Sequence, residues 1–233
     1  MTERKVGPLL TDWIAPPVPG GVPLAGRFVR LEPLDPVRHA PELFAAFAGH
    51  NWIWDYLGHG PFADVPELQS VLTTTAREHP TYVVCPAGQR PLGFASYWTV
   101  TAVMGSAEVG GITFSPALQR TPATTEAMYL MMRHAFAVGY RRYEWKCNAL
   151  NLPSRRTAQR LGFSYEGIFR NHMVIKGRNR DTAWFAITVE DWPRLKLAFE
   201  GWLDPANFDD EGRQRHSLST FTAPVLAAHD PLQ

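Results

Sequence analysis

Cysteine is scarce in this chain, with only Cys85 and Cys147 among 233 residues. Each stands in a strand-like run, TYVVC and YEWKC, so the pair reads as small buried thiols rather than a disulfide. Two cysteines cannot by themselves assemble a zinc site, and the eight histidines show no metal-like spacing, so no metal is expected. Long apolar runs are lacking too: none reaches the roughly 20 residues of a membrane helix. The first residues, MTERKVGPLLTDW, carry charge without the apolar core of a leader. The expectation is a cytoplasmic chain with no membrane partner. An excess of either charge is also missing, because 23 basic against 22 acidic residues leave +1. That balance argues against bulk nucleic acid as a partner.

What the chain has is apolar and aromatic content, 45% and 12%, enough for a sizeable core built most simply as one domain with extensions. Proline and glycine punctuate the start too densely for helix or central strand, so residues 1–23 read as an extended arm, with Trp13 as a candidate anchor. A domain spans 24–203, and 204–233 reads as a polar tail without periodicity. Either end could reach across a homodimer, which the sequence leaves open.

Within the domain, Arg27–Glu32 alternates as a first strand, and Asp35-Pro36 opens a helix running to Gly49. A second helix follows over Asp64–Glu78, then a hairpin of Thr81–Cys85 and Pro91–Val100. Ala107–Phe114 is the next strand and Thr125–Val138 a helix closed by Gly139. Tyr143–Ala149, Pro153–Leu161, Ser164–Ile175 and Asp181–Val189 continue as strand, helix and a final hairpin, and Glu190–Leu203 as a terminal helix. The order β-α-α-β-β-β-α-β-α-β-β is an α+β, mixed-sheet arrangement.

The stretch from Glu108 to Glu126 is strand, loop and helix start. A helix start presents unpartnered backbone N–H groups and the positive end of a dipole, which is an anion-binding layout. Gln119-Arg120-Thr121-Pro122-Ala123-Thr124 resembles the Q/R-x-x-G-x-G/A loop of the GNAT acyl-CoA N-acyltransferases, with Pro122 in a glycine position. Further on, Asn151-Leu-Pro-Ser154 resembles the family's N-x-x-S, and Ala158-Gln-Arg-Leu-Gly-Phe163 its A-x-x-x-G-F. Tyr165–Arg170 and the Arg180–Trp184 strand complete the set. Order and spacing are similar to the Rim type, the ribosomal-protein N-terminal acetyltransferases and their relatives, over roughly Leu24 to Trp202.

That resemblance implies a GNAT fold whose parallel strands splay to admit pantetheine. It implies an acetyl-CoA-dependent N-acetyltransferase whose acceptor is a primary amine: a protein N-terminus, an amino acid or a small-molecule amine. Acetyl-CoA would contact Phe114, Gln119, Arg120, Thr121, Ala123, Thr124, Thr125 and Asn151, with Arg155 and Arg156 reaching the 3′-phosphate. A backbone N–H between Gly110 and Phe114 would meet the oxyanion, Ser154 would protonate the thiolate, and Glu108 would deprotonate the amine through water. As ordinary residues, Ser154 is a first-turn serine and Glu108 a solvated strand end. Alternation places Glu108 on one face with Gly110 and Ile112. Trp52, Trp54 and Tyr56, with His59 between glycines, read as a wall of the acceptor cleft or as a plug under a loop, and Arg170 as part of a basic hairpin that could meet an acidic acceptor. Pro122 lacks one wanted donor, which keeps alive a catalytically weakened CoA-binding or partner-binding module. A longer acyl group such as succinyl also stays open.

Overall fold

A computed structural model describes residues 6–232; residues 1–5 of the expected arm and 233 of the expected tail lie outside the described residues. In chain order the elements are β1 (Leu24–Ala25), β2 (Val29–Pro33), α1 (Pro36–Phe47), α2 (Val65–Glu78), β3 (Thr81–Pro86), β4 (Gly93–Thr101) and β5 (Ser106–Phe114). There follow α3 (Pro122–Ala137), β6 (Arg142–Asn148), α4 (Leu152–Arg160), β7 (Ser164–Ile175), β8 (Arg178–Thr188), α5 (Trp192–Leu203) and α6 (Leu218–Thr222). The strands form one sheet in the order β1-β2-β3-β4-β5-β6-β8-β7. Every pairing is antiparallel except β5 with β6. The α+β mixed-sheet expectation is the observed class.

The local causes are those read from the sequence. Asp35 Oδ1 accepts from the amides of Val37 and Arg38, and Asp64 Oδ1 from Glu67, so both early helices start at acidic caps followed by proline. Along β6, Tyr143, Trp145 and Cys147 are buried while Arg142, Glu144 and Lys146 stand on the other face.

Two cores flank the sheet. The larger gathers α3, α5 and the odd-numbered side of β6 around Met131, Phe163 and Phe185; the smaller packs α1 and α2 through Leu43, Leu68 and Phe47 onto Val83 and Phe94. Helices α1 and α2 lie over β3 and β4, and the same face of β5, β6 and β8 carries polar residues.

Three readings change. Helix α3 begins at Pro122, three residues before the expected Thr125, because proline is a favoured first-turn residue. The last hairpin turns tightly at Lys176-Gly177, both with positive φ, so β8 begins at Arg178 and takes Arg180 into the sheet. The expected polar tail is packed: α6 lies against α5, Ala227 N donates to Ser164 Oγ at 2.9 Å, and Asp230 is buried. Its apolar anchors, Phe208, Leu218 and Val225, are too widely spaced to leave a hydrophobic period to read.

The arm runs over the surface, with Trp13 Nε1 donating to Val103 O at 3.1 Å and Gly20 N donating to His134 Nε2 at 3.1 Å. His39 Nδ1 accepts likewise from Asp35 N at 3.0 Å. Burial lowers the pKa of His39, His59 and His134 below 6.5, and for His39 it outweighs the opposing Glu32 carboxylate. The unfolded chain therefore binds more protons than the folded one around that pH. Stability present above pH 6.5 should fall as pH drops from 6.5 towards the folded values; a melting temperature unchanged between pH 7.5 and pH 5 would contradict this.

Candidate active site

The parallel pair β5 and β6 is bonded from Ser106↔Arg142 to Val109↔Trp145 and no further among the described residues. Beyond that point β5 stays with β4 as far as Phe114, and β6 stays with β8 as far as Asn148↔Thr182. The two strands therefore part in the middle of the sheet and leave facing backbone edges unpaired.

Gly111 marks the parting. Its φ of +58° is a backbone state that side-chain-bearing residues rarely adopt, and the β4 register skips an extra β5 residue there. The bulge also corrects the face assignment. Gly110 stays with Glu108, whose Oε1 would lie 3.4 Å from an added Cβ, whereas Ile112 and Phe114 turn to the α3 core. One inserted residue reverses the alternation downstream of it.

The gap leads to the start of α3. Arg120 has φ +61°, a turn that lets successive amides face one way, and the amides of Arg120 and Thr121 have no acceptor among the described residues. Ala123 N lies in the first helical turn, where none is provided. Thr124 is different, because its amide and hydroxyl both return to Thr121 O, at 3.2 and 2.7 Å. Thr121 occupies the N-cap without capping, its hydroxyl going to Leu118 O at 2.7 Å. Gln119 Nε2 ties the loop to Phe114 O at 2.9 Å, so this side chain braces the mouth.

Arg155 corrects the expectation of a phosphate contact. Its side chain is 1% exposed and grips Asp230, 0% exposed, through Nε at 2.6 Å, with Nη1 on Ala149 O at 2.8 Å. Arg156 is exposed. Sequence reading passed over Arg160, a half-buried guanidinium that reaches back from α4 to Thr125 Oγ1 at 2.8 Å, without a carboxylate partner among the described residues. Its place in Ala158–Phe163 was visible; its direction was not.

At the start of α4, Asn151 Oδ1 caps Ser154 N at 3.1 Å, while Ser154 Oγ accepts from Trp145 Nε1 at 3.0 Å. That indole fills one acceptor position of the hydroxyl, and the Cys147 thiol stands within hydrogen-bonding reach of the same side chain. On the opposite face Glu108 is buried, its Oε2 3.1 Å from Lys146 Nζ, which also meets Glu144 at 3.0 Å and lies over the Trp184 ring. Glu166 pairs with Arg142 at 2.6 Å, a structural role.

An order of elements with one parallel pair, parted over a helix mouth, is the geometry that the motifs call for. Residues 29–164 match the model of an acetyltransferase (GNAT) domain.

The chain belongs to the GNAT acetyltransferase family.

A GCN5-related N-acetyltransferase from Brucella melitensis is 41% identical, with a TM-score of 0.88 over 92% of this chain and 100% of that one. A GNAT-family acetyltransferase structure from Chromobacterium violaceum ATCC 12472 is 39% identical, with a TM-score of 0.78 over 82% of this chain and 98% of that one. The RimL ribosomal L7/L12 alpha-N-protein acetyltransferase in complex with coenzyme A is 18% identical at a TM-score of 0.63, covering 72% and 99%, a likeness of fold alone. Among curated proteins nothing matches.

In this GNAT chain the expected acceptor wall is only partly a wall. Trp54 is 2% exposed and packs edge-on against Phe47 and Phe62, so it belongs to the smaller core; large aromatics between glycines suit a plug as well as a rim. Trp52 and Tyr56 are exposed, and Tyr56 Oη donates to Leu150 O at 3.3 Å, which brings the loop to the edge of the gap. Lys176 Nζ, at the hairpin tip, donates to Trp54 O at 2.9 Å. Loop and hairpin thus meet over the polar face. His59 and Trp98 line a cleft of about 270 Å³ with Ser70, Thr74 and His79, and His59 Nε2 is buried without a partner among the described residues. Arg170 is solvated on β7.

Proposed function

We propose that this chain moves the acetyl group of acetyl-CoA directly to a primary amine. The observation that carries the reading is the parting of β5 and β6 over unfilled amides at the start of α3. The amides of Arg120, Thr121 and Ala123 suit the diphosphate, and Arg160 supplies a guanidinium beside them. A coenzyme A complex of the RimL acetyltransferase of similar fold supports the same donor.

The bound thioester supplies the activated acyl carbon. The amine nitrogen bonds to that carbon, the carbon–sulfur bond breaks, and the sulfur leaves as thiolate. The unpaired β5 edge beyond Val109 offers an amide to the developing oxyanion. Ser154 Oγ–H, which rests beside the Cys147 side chain, turns to protonate the departing thiolate, and Glu108, with Oε2 on Lys146 and Oε1 towards Gly110, takes the amine proton through water. The cleft lined by His59, Trp98 and residues of α2 receives the acceptor.

Calorimetric titration with acetyl-CoA tests this reading, which expects micromolar binding. Pro122→Gly restores one donor to a charged group and should tighten binding by no more than roughly tenfold, since the proline's helical φ is lost at the same time. A wild type that fails to bind at millimolar ligand, with binding regained in Pro122→Gly, would favour the weakened module instead.

A further inference from the structure

The basic residues of the last hairpin do not share one environment. Arg170 and Arg178 are solvated, and Lys176 is engaged with Trp54 O. Arg180 is half-buried and has no carboxylate within salt-bridge distance among the described residues. Its Nε donates to Thr182 Oγ1 at 3.2 Å, so the side chain runs along β8 in the direction of Trp184. Its remaining N–H groups have no acceptor among the described residues. Burial pushes its pKa down, and the Glu108 carboxylate is one of the groups whose field it feels.

Two other polar side chains are neighbours of the Thr182 hydroxyl, with the His172 and Trp184 rings 6.0 Å apart. Trp184 Nε1 is buried without an acceptor, and His172 Nδ1 lies 3.0 Å from Thr182 Oγ1, which brings its ring beside that hydroxyl. A half-buried guanidinium whose donors are not spent on the protein is stabilised by an anion, most of all one matching its planar fork. The reacting centre is close: Lys146 Nζ sits 4.1 Å from the Trp184 ring and 3.1 Å from Glu108.

We propose that Arg180, with the Trp184 indole N–H and His172, binds a carboxylate that the acceptor carries close to its amine, an inference that rests on the acyl-transfer reading above. Two sources share this chemistry: the α-carboxylate of a free amino acid, and an acidic side chain next to a peptide N-terminus.

Matched acceptors test it. L-amino acids are offered beside their carboxamides, and peptides starting Ala-Asp beside peptides starting Ala-Asn, with release of CoA followed. The carboxamide has the larger neutral-amine fraction at neutral pH, so plain reactivity favours it. We expect the acidic member of one set to lead by at least roughly tenfold in kcat/KM; the set in which this occurs identifies the source. Arg180→Met should abolish the preference and Arg180→Lys keep part of it, with acetyl-CoA affinity unchanged in both. Trp184→Phe, which keeps an aromatic ring and removes the donor, should reduce the preference even if Arg180→Met fails to fold. Equal turnover of both members, a preference that survives the variants, or no acidic acceptor acetylated by a protein that binds acetyl-CoA would overturn the inference. Failure to bind acetyl-CoA at all would instead remove the acyl-transfer reading, and this inference with it.

Discussion

Asp230→Ala is expected to lower the unfolding free energy by about 3–5 kcal/mol, the usual cost of leaving one member of a buried ion pair alone. The Arg155 guanidinium meets Asp230 with two nitrogens and is sealed from water, so it cannot recover hydration when the carboxylate is removed. The same carboxylate accepts from Leu232 N at 3.0 Å, so that bond is lost too, whereas the backbone bond from residue 230 N to Gln159 Oε1 at 2.9 Å stays. Denaturant unfolding measures the loss. The double variant Arg155→Met with Asp230→Leu removes both charges and should recover most of it, because apolar residues of similar volume often replace a buried pair without loss. A single variant within 1 kcal/mol of wild type would show that Arg155 finds water.

Ser154→Ala is expected to lower kcat by about 100-fold while leaving the KM for acetyl-CoA within roughly twofold, the signature of a proton donor acting in the transition state. Helix α4 should not move, because Asn151 caps the backbone amide of residue 154 and not its side chain. Trp145 Nε1 loses an acceptor, at a stability cost of about 1 kcal/mol. A kcat reduced by less than threefold would return Ser154 to the role of an ordinary first-turn serine. Asp230→Ala bears on this result too: Arg155 is the next residue, so loosening the C-terminal anchor should reduce kcat without touching the donor loop.

The element order was legible because it rests on short-range causes. Asp-Pro pairs start helices, alternation marks β6, and Gln119 to Thr124 followed by Asn151 to Phe163 carries the family pattern in sequence order. Several individual roles were not legible. Trp54 reads equally as rim or plug, and only the approach of Phe47 and Phe62 makes it core. Ile112 was assigned by alternation, which one bulge at Gly111 undoes. Arg155 and Arg160 occupy one short helix, yet the first turns to the C-terminal segment and the second to the mouth of α3.

By itself, then, the sequence determined the fold class and the family, because periodicity, caps and glycine or proline placement act over a few residues. Tertiary structure alone decided which charges are spent inside and which remain available. Arg155 is closed off by a residue 75 positions away, Lys146 holds a carboxylate 38 positions away, and Arg180 is left without one among the described residues. The field at a guanidinium depends on what folding brings within a few ångströms of it, and no local pattern in the chain encodes that distance.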